Sequence, residues 1–191
     1  MKPKIVLLEL TNQSCELLTN IFTQYGYEVC SCRQSIDISS YLSRRSIEFL
    51  VINTNLPHPS LLKQIQAAVN QYALPVVMFA TSSDKSLSEE AIRSGVSALV
   101  IDGFDVSRLR HIMDIAKARF DETLRLNSEI QKLKLQLADR KSIDKAKSIL
   151  MKRRAIDEAS ATGLIRKMAM DRNQNLSQVA KSIIDVDELL I

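Results

Sequence analysis

The chain has 191 residues, of which 46% are hydrophobic and 25% are charged, with 4 Gly, 4 Pro and no Trp. This composition excludes a disordered chain and allows one domain with an appendage or two small domains. The 3 cysteines are too few for a disulfide scaffold, and no apolar run approaches the roughly 18 residues of a membrane span. We therefore expect a cytoplasmic protein without a signal peptide.

Short apolar runs alternate with helical patterns over the first hundred residues. The predicted strands are 5–8, 27–32, 49–52, 74–79 and 98–101, and the predicted helices are 14–25, 36–42, 61–72 and 88–94. Gly26 and Gly95 follow two of these helices, as expected of residues that end a helix. Apolar strands separated by helices predict a parallel, doubly wound α/β sheet, whose functional groups gather at the carboxyl ends of the strands.

The order of these elements, and the strings 4–9, 49–57 and 95–101, resemble a two-component receiver domain over residues 3–104. Receivers hold Mg²⁺ with an acidic pair after the first strand and accept phosphate on an aspartate four residues before a proline. A Ser or Thr follows their fourth strand, and a lysine follows their fifth. The resemblance places these positions at Glu9, Leu10, Asn53, Ala80 (with Thr81 one residue later) and Asp102.

Three of these residues remove the chemistry of a receiver. The amide of Asn53 is far less nucleophilic than a carboxylate, and Leu10 supplies no oxygen for Mg²⁺. Asp102 places a negative charge where a lysine would meet the phosphoryl group. We therefore expect a flavodoxin-like pseudo-receiver that is not phosphorylated by the usual route. It would serve as a docking or dimerisation module, or hold an unidentified small ligand or ion.

Residues 104–162 contain neither Gly nor Pro, which predicts one long helix with Asp105 as its cap. Seam positions recur along it at spacings of three and four from Leu109 onwards, and they are apolar except at Arg119 and Thr123. The clearest stretch of this heptad seam is Leu126, Ile130, Leu133 and Leu137. The seam predicts a parallel coiled-coil homodimer, and packing of the helix on its own chain is the alternative.

The charge is concentrated near the end of the chain, which carries a net charge of +4. Residues 139–173 hold 10 basic and 5 acidic side chains, whereas residues 1–104 hold 8 and 9. Such a segment suggests a polyanionic partner or a solvated helix face. Three helices are predicted there: the first continues the long helix through Leu150, the second follows Asp157 as its cap, and the third runs from Leu176 towards Leu189. Residues 173–175 are expected to end the second helix.

The string Ala146–Met151 is similar to the Ala-Lys-Gly-x-Leu-Met signature of ANTAR domains, which are three-helix RNA-binding modules of bacterial antiterminators. The stretch 161–170 is similar to their second signature, and residues 176–184 to their third helix. Ser148 and Thr162 depart from the pattern, because glycine and an aromatic residue or His are usual there. The predicted domains are a pseudo-receiver (1–104), a helical coiled-coil linker (105–138) and an ANTAR domain (139–191).

Together these parts resemble the regulators of amidase expression and, more closely, the NasT group that governs nitrate and nitrite assimilation. This resemblance implies an RNA-binding antiterminator controlled by a nitrate-sensing partner of the NasS type. Residues 121–191 contain no aromatic side chain, so phosphate contacts must supply most of the affinity for leader mRNA hairpins. The candidate contacts are Lys147 and Arg166, which lie within the signatures, followed by Lys145, Lys152, Arg153, Arg154, Lys167 and Arg172.

The alternatives are a DNA-binding response regulator and a scaffold that only docks partners. Against DNA binding, no Gly-containing tight turn precedes a polar recognition helix. Enzymatic activity is not expected, because there is no phosphate-cradling Gly loop and His58 and His111 lie on different elements without an evident catalytic partner. We predict no catalytic residue, no metal, no cofactor and no membrane contact.

Overall fold

The chain divides into two compact units, Met1–Leu124 and Arg125–Ile191. The computed structural model describes residues 2–11, 15–33 (31–33 as backbone only), 38, 42, 47–82, 84–101 and 106–189. The predicted cap Asp105 and the pocket position Asp102 lie outside these residues. So does most of the predicted helix 36–42, of which Ile38 and Leu42 are helical and buried. Within the described ranges, no helix is both long and apolar enough to cross a membrane.

The first unit is built on a five-stranded parallel sheet. The strands are β1 (Lys4–Glu9), β2 (Glu28–Arg33), β3 (Phe49–Thr54), β4 (Val76–Ala80) and β5 (Val96–Ile101). Their order is β2-β1-β3-β4-β5, which is the flavodoxin-like order of a doubly wound fold. Every residue of β3 and β4 is buried, as expected for the inner strands of a parallel sheet covered on both faces. The predicted fold class is therefore confirmed.

Alternate side chains along the strands form two separate hydrophobic cores. The helices of this unit whose full length is described are α1 (Cys15–Gln24), α2 (Pro59–Tyr72), α3 (Lys85–Arg93) and the first turns of α4 (Leu109–Arg154). One core joins Ile52 and Met78 to α2 and α3, and the other joins Val51 and Phe79 to α1 and α4. The two faces alternate because successive side chains of a strand point to opposite sides of the sheet.

Local hydrogen bonds and backbone restrictions determine where α2 and α3 begin. Pro59 opens α2, where its missing N–H costs no helical hydrogen bond. The Asp84 carboxylate accepts a 2.7 Å hydrogen bond from the backbone N–H of Leu87 at the start of α3. Because of this cap, α3 begins at Lys85 and not at the predicted residue 88.

The long predicted helix is α4, which has 46 residues and follows a 3-10 turn at Val106–Arg108. Leu109, Met113 and Ala116 are fully buried against the sheet of the same chain. The first part of the heptad seam therefore packs within its own chain. Residues 121–138 of the helix are all exposed, so only the later part of the seam is open to another chain.

The second unit contains the end of α4, then α5 (Glu158–Asp171) and α6 (Leu176–Leu189). Asp157 caps α5 as predicted, since its carboxylate accepts a 2.9 Å hydrogen bond from the backbone N–H of Ser160. Asn175 has the same role before α6, where its Oδ1 accepts from the backbone N–H of Gln178 at 2.8 Å. Asn173 adopts a positive φ of 50°. The predicted break between the last two helices is thus confirmed.

Two glycines of the first unit provide a matched test of its packing. Gly26 and Gly95 have φ of 91° and 97°, so alanine is strained at both. A Cβ at Gly26 would meet nothing within 4 Å, whereas a Cβ at Gly95 would lie 3.1 Å from Val69 Cγ1. We expect Gly26→Ala to lower the free energy of unfolding by about 1 kcal/mol. Gly95→Ala should lower it further, because Val69 must also move.

Urea unfolding followed by circular dichroism measures both losses on the same sheet. Equal losses for the two variants would contradict the packing of Val69 against Gly95.

Candidate functional site

The carboxyl ends of β1 and β3 bring two of the predicted pocket residues together. Glu9 ends β1 and lies in register with Asn53 of β3, and both are buried. The Asn53 amide Nδ2 donates a 2.9 Å hydrogen bond to Glu9 Oε2. The backbone N–H of Thr11 donates a 2.8 Å hydrogen bond to Glu9 Oε1, which also accepts from the Thr11 hydroxyl. Both oxygens of the buried carboxylate therefore have donors from the chain itself.

The hydrogen-bond donors to Glu9 affect the chemistry that is available in the pocket. A buried carboxylate needs compensating donors or a cation, and here Asn53 and Thr11 are the donors. Leu10 packs against the core and offers no oxygen ligand. Position 53 holds an amide in place of a nucleophilic carboxylate. The arrangement thus links the carboxyl ends of β1 and β3 through a hydrogen bond from the Asn53 amide to the Glu9 carboxylate.

The next strand ends at the same edge of the sheet. Ala80 closes β4 in register with Thr54 of β3 and is buried. Thr81 is exposed, and its hydroxyl lies 3.4 Å from Asn55 Oδ1. The structure therefore places five of the predicted pocket positions at one edge of the sheet: Glu9, Leu10, Asn53, Ala80 and Thr81.

The three C-terminal helices share a small core rich in alanine. Its buried residues are Ala146, Ile165, Ala169, Val179 and Ala180, with Ile143, Leu150, Met168, Ile183 and Ile184 packed around them. Small side chains let the helix backbones approach closely, which keeps charged residues of all three helices near one another at the surface. The predicted candidate cations lie around this core, and they fall into two groups.

Lys147 belongs to the first group, whose members are held by acidic side chains. Its Nζ lies 2.8 Å from Asp144 Oδ1 on α4 and 2.8 Å from Glu158 Oε1 on α5. The hydrogen bonds with Asp144 and Glu158 raise the pKa of Lys147 above its ordinary value. The hydrogen bond with Lys147 lowers the pKa of Asp144. Any anionic ligand of Lys147 must therefore compete with two carboxylates.

Two further candidates are paired with residues of α6. Lys145 Nζ lies 2.8 Å from Glu188 Oε1, and Arg153 Nε lies 2.6 Å from Asp187 Oδ1. These pairs connect the end of α4 to α6. Charge pairs at such exposed positions stabilise a protein only weakly.

The second group consists of five exposed cations that form no ion pair with any residue that the structure describes. Its members are Lys152 and Arg154 at the end of α4, Arg166 and Lys167 on α5, and Arg172 at the C-terminal cap of α5. Their charge is free to attract an anion. We refer to these five residues as the open cations.

The predicted dimerisation residues lie on the exposed part of α4. Leu126, Ile130, Leu133 and Leu137 have between 44% and 57% of their surface exposed. Their alternating spacing of four and three places them on one face of the helix. This apolar face has no covering element among the described residues.

Comparison with known proteins identifies the second unit. Residues 131–184 match the family model of the ANTAR domain. The second unit therefore carries an ANTAR match, beside a first unit with a receiver-like fold. The chain is similar to the transcriptional regulatory protein PdtaR of Mycobacterium tuberculosis, with 25% identity over 172 residues, which cover 88% of this chain and 82% of PdtaR. It is also similar to a nitrate regulatory protein of Klebsiella oxytoca, with 34% identity over 80 residues, which cover 42% of this chain and 20% of that protein.

Solved structures support the fold of the receiver-like domain. A response regulator of Thermotoga maritima has a TM-score of 0.53 and 14% identity, over 61% of this chain and 99% of that chain. Full-length FixJ of B. japonicum has a TM-score of 0.54 and 15% identity, over 96% of this chain and 98% of that chain. At such low identity these likenesses establish the fold alone.

The sequence did not lead us to predict the acidic partners of Lys145, Lys147 and Arg153. Asp144 precedes Lys147 by three residues on a helix, and this spacing brings side chains together. That pair was therefore detectable in the sequence. Glu158 and Asp187 lie on other helices, and their pairing depends on how the three helices pack.

The hydrogen bond between Asn53 and Glu9 can be tested by changing one atom. Asn53→Asp replaces a buried donor with a second carboxylate beside Glu9, so we expect the free energy of unfolding to fall by about 1–3 kcal/mol. Asn55→Asp is the matched control, because Asn55 is exposed and its Oδ1 acts as an acceptor. Chemical unfolding of both variants measures the difference, and a loss no larger at residue 53 than at residue 55 would contradict the assignment.

Proposed function

We propose that this protein is an RNA-binding transcription antiterminator of nitrate and nitrite assimilation genes, acting in the cytoplasm on leader mRNA hairpins. The observation that carries the proposal is the ANTAR match over residues 131–184, the segment that also holds all five open cations. The similarity to the nitrate regulatory protein of Klebsiella oxytoca supports the choice of target genes. We keep all eight candidate cations as RNA contacts and place the five open cations, which include Arg166, first.

RNA binding by this protein would depend mainly on charge, because residues 121–191 lack aromatic side chains. Residues 121–191 contain no Phe, Tyr or Trp, so aromatic stacking platforms are absent from this segment. Lys and Arg contacts to phosphate then dominate the affinity, and arginine planes can also stack on bases. Arg166 and Lys167 lie next to each other on α5 and are exposed. Both can contact the phosphates of an RNA backbone.

Control by a partner, in place of phosphorylation, is part of the same proposal. The amide of Asn53 offers no acceptor for a phosphoryl group, and both oxygens of Glu9 are already hydrogen-bonded. A nitrate-sensing protein of the NasS type would then regulate the chain by binding it. Such control requires a docking surface on the receiver-like unit, and it requires no phosphorylation of the pocket.

RNA binding predicts a defined response to salt and to substitution. Arg166→Ala should weaken binding to a leader hairpin and lower the slope of log affinity against log salt by about one phosphate contact. Lys147→Ala should lose less affinity, because Asp144 and Glu158 already compete for the ammonium group. Lys117→Ala, an exposed charge on the receiver-like unit, is the control and should bind like the wild type.

Gel shifts across a salt titration measure these effects, with hairpin RNA and duplex DNA of the same sequence compared side by side. Stronger binding to the duplex would favour a DNA-binding response regulator. Failure to bind either nucleic acid would favour a docking scaffold.

We further propose that the exposed seam of α4 forms a parallel coiled-coil homodimer. The seam residues Leu126, Ile130, Leu133 and Leu137 are large, apolar and half-exposed within a single chain. In the heptad, Ile130 and Leu137 take one core position and Leu126 and Leu133 take the other, a pattern found in coiled coils. Burying these side chains against a second helix removes their apolar surface from water.

A matched pair of leucines tests the dimer. Leu133→Asp places a charge in the seam and should shift the protein from dimer to monomer in sedimentation velocity. Leu135→Asp makes the same change two residues away, outside the seam, where 66% of the side chain is exposed. It should leave the dimer intact. A dimer that survives Leu133→Asp would exclude this seam as the interface.

A further inference from the structure

A cavity of about 340 Å³ opens in the ANTAR domain where the end of α4, the end of α5 and the second half of α6 meet. Less exposed apolar lining residues, including Leu150, Met168 and Ile183, form its floor, and Val186 lines it as well. Val186 is 56% exposed, so the cavity is open to solvent on its side. Cavities that bind ligands typically begin at about this size.

The rim of the cavity is cationic. Arg153, Arg154 and Arg172 line it, against one aspartate, Asp187. Arg153 is held by Asp187 through the 2.6 Å contact between Nε and Oδ1. Arg154 and Arg172 belong to the open cations and form no ion pair in the part of the chain that the structure describes. The cavity therefore combines an apolar floor, two available guanidinium groups and one carboxylate.

This combination fits a flat ring that carries a phosphate group. An apolar floor favours the faces of a nucleobase, and guanidinium groups bind phosphate and stack on bases. An amino group on the base can donate to the carboxylate of Asp187, which is itself only partly exposed. A purely apolar peptide side chain would leave the two free arginines without a role.

We propose that the cavity takes one unpaired nucleobase from the loop of an RNA hairpin, with the neighbouring phosphates against Arg154 and Arg172. The inference rests on the proposed RNA-binding function and adds to it a site of base recognition. Two functions are then divided within the domain. Arg166 and Lys167 attract the phosphate backbone, and the cavity recognises an unstacked base. Recognition of an unstacked base is how proteins commonly read single-stranded RNA.

The first experiment needs no variant. The full chain is used to select a binder from a pool of RNA hairpins with randomised loops, and each loop nucleotide of that binder is then made abasic in turn. Removing the base leaves the ribose and phosphate in place. We expect one loop position to lose about tenfold in affinity, within the range measured for single base contacts. Equal affinity for every abasic hairpin would overturn the inference.

The second experiment fills the cavity. The Val186→Trp variant should bind the intact hairpin about tenfold more weakly than the wild type does. It should bind the critical abasic hairpin as tightly as the wild type does, because the substitution and the removal of the base eliminate the same contact. Leu189→Trp adds the same ring to an exposed position of α6 outside the cavity and should keep the full difference between the two RNAs. Val186→Phe, a smaller replacement, repeats the test, and circular dichroism confirms the helical content of each variant.

The outcomes separate the two proposals. If Val186→Trp keeps the full sensitivity to the abasic position, the base lies elsewhere and the cavity inference is wrong while RNA binding stands. That result is also expected if the cavity is a docking site for a protein. If the wild-type chain selects no hairpin at all, the proposed function fails and the inference fails with it.

Discussion

A parallel sheet has to be covered on both faces, and in this protein the first turns of α4 provide part of that cover. Leu109, Met113 and Ala116 pack against Val51 and Phe79 in one of the two cores. Burying a large apolar side chain contributes on the order of 1.5–3 kcal/mol, so this contact is a substantial part of what stabilises the unit. The same helix later supplies Ala146 and Leu150 to the core of the ANTAR domain. One helix thus belongs to both folded units, with an exposed stretch between them.

The two units stabilise their ionisable groups in different ways. Glu9 is buried, and neutral donors from Thr11 and Asn53 compensate its carboxylate. Lys147 lies at the surface and is compensated by two carboxylates, one of them on the first turn of α5. Glu158 is also favourable there because a negative charge stabilises the N-terminus of a helix. The first arrangement links two strands through hydrogen bonds to a buried carboxylate, and the second holds a cation between two helices.

Much of the fold follows from local patterns in the sequence. The apolar runs at residues 49–52 and 98–101 lie inside observed strands, and Asp157 caps α5 as its position before a helical pattern predicts. The heptad pattern was less informative, because the spacing of Leu109 and Ala116 is the same whether a helix packs on a sheet or on another helix. Only the tertiary structure shows that these residues belong to the first core.

The candidate site was predictable in its residue types more than in its contacts. Asn53 and Glu9 were assigned to one pocket by the resemblance to a receiver domain, and the register of β1 and β3 does bring them together. That Asn53 donates to Glu9 depends on a rotamer, and the sequence does not encode it in any local pattern. Likewise Lys147 and Arg166 were ranked together by motif, whereas the structure pairs the first with two acids and leaves the second unpaired in the described part of the chain.

The alanine core of the ANTAR domain has a consequence for its dynamics. Ala146, Ala169 and Ala180 bury little apolar area, so few contacts oppose the local opening of α5 and α6. Amide hydrogens of these helices should exchange with solvent sooner than those of β3 and β4. Any ligand that binds only the closed helices then slows that exchange in proportion to its concentration, by mass action. Ligand binding to the domain can therefore be measured as slower amide exchange in α5 and α6.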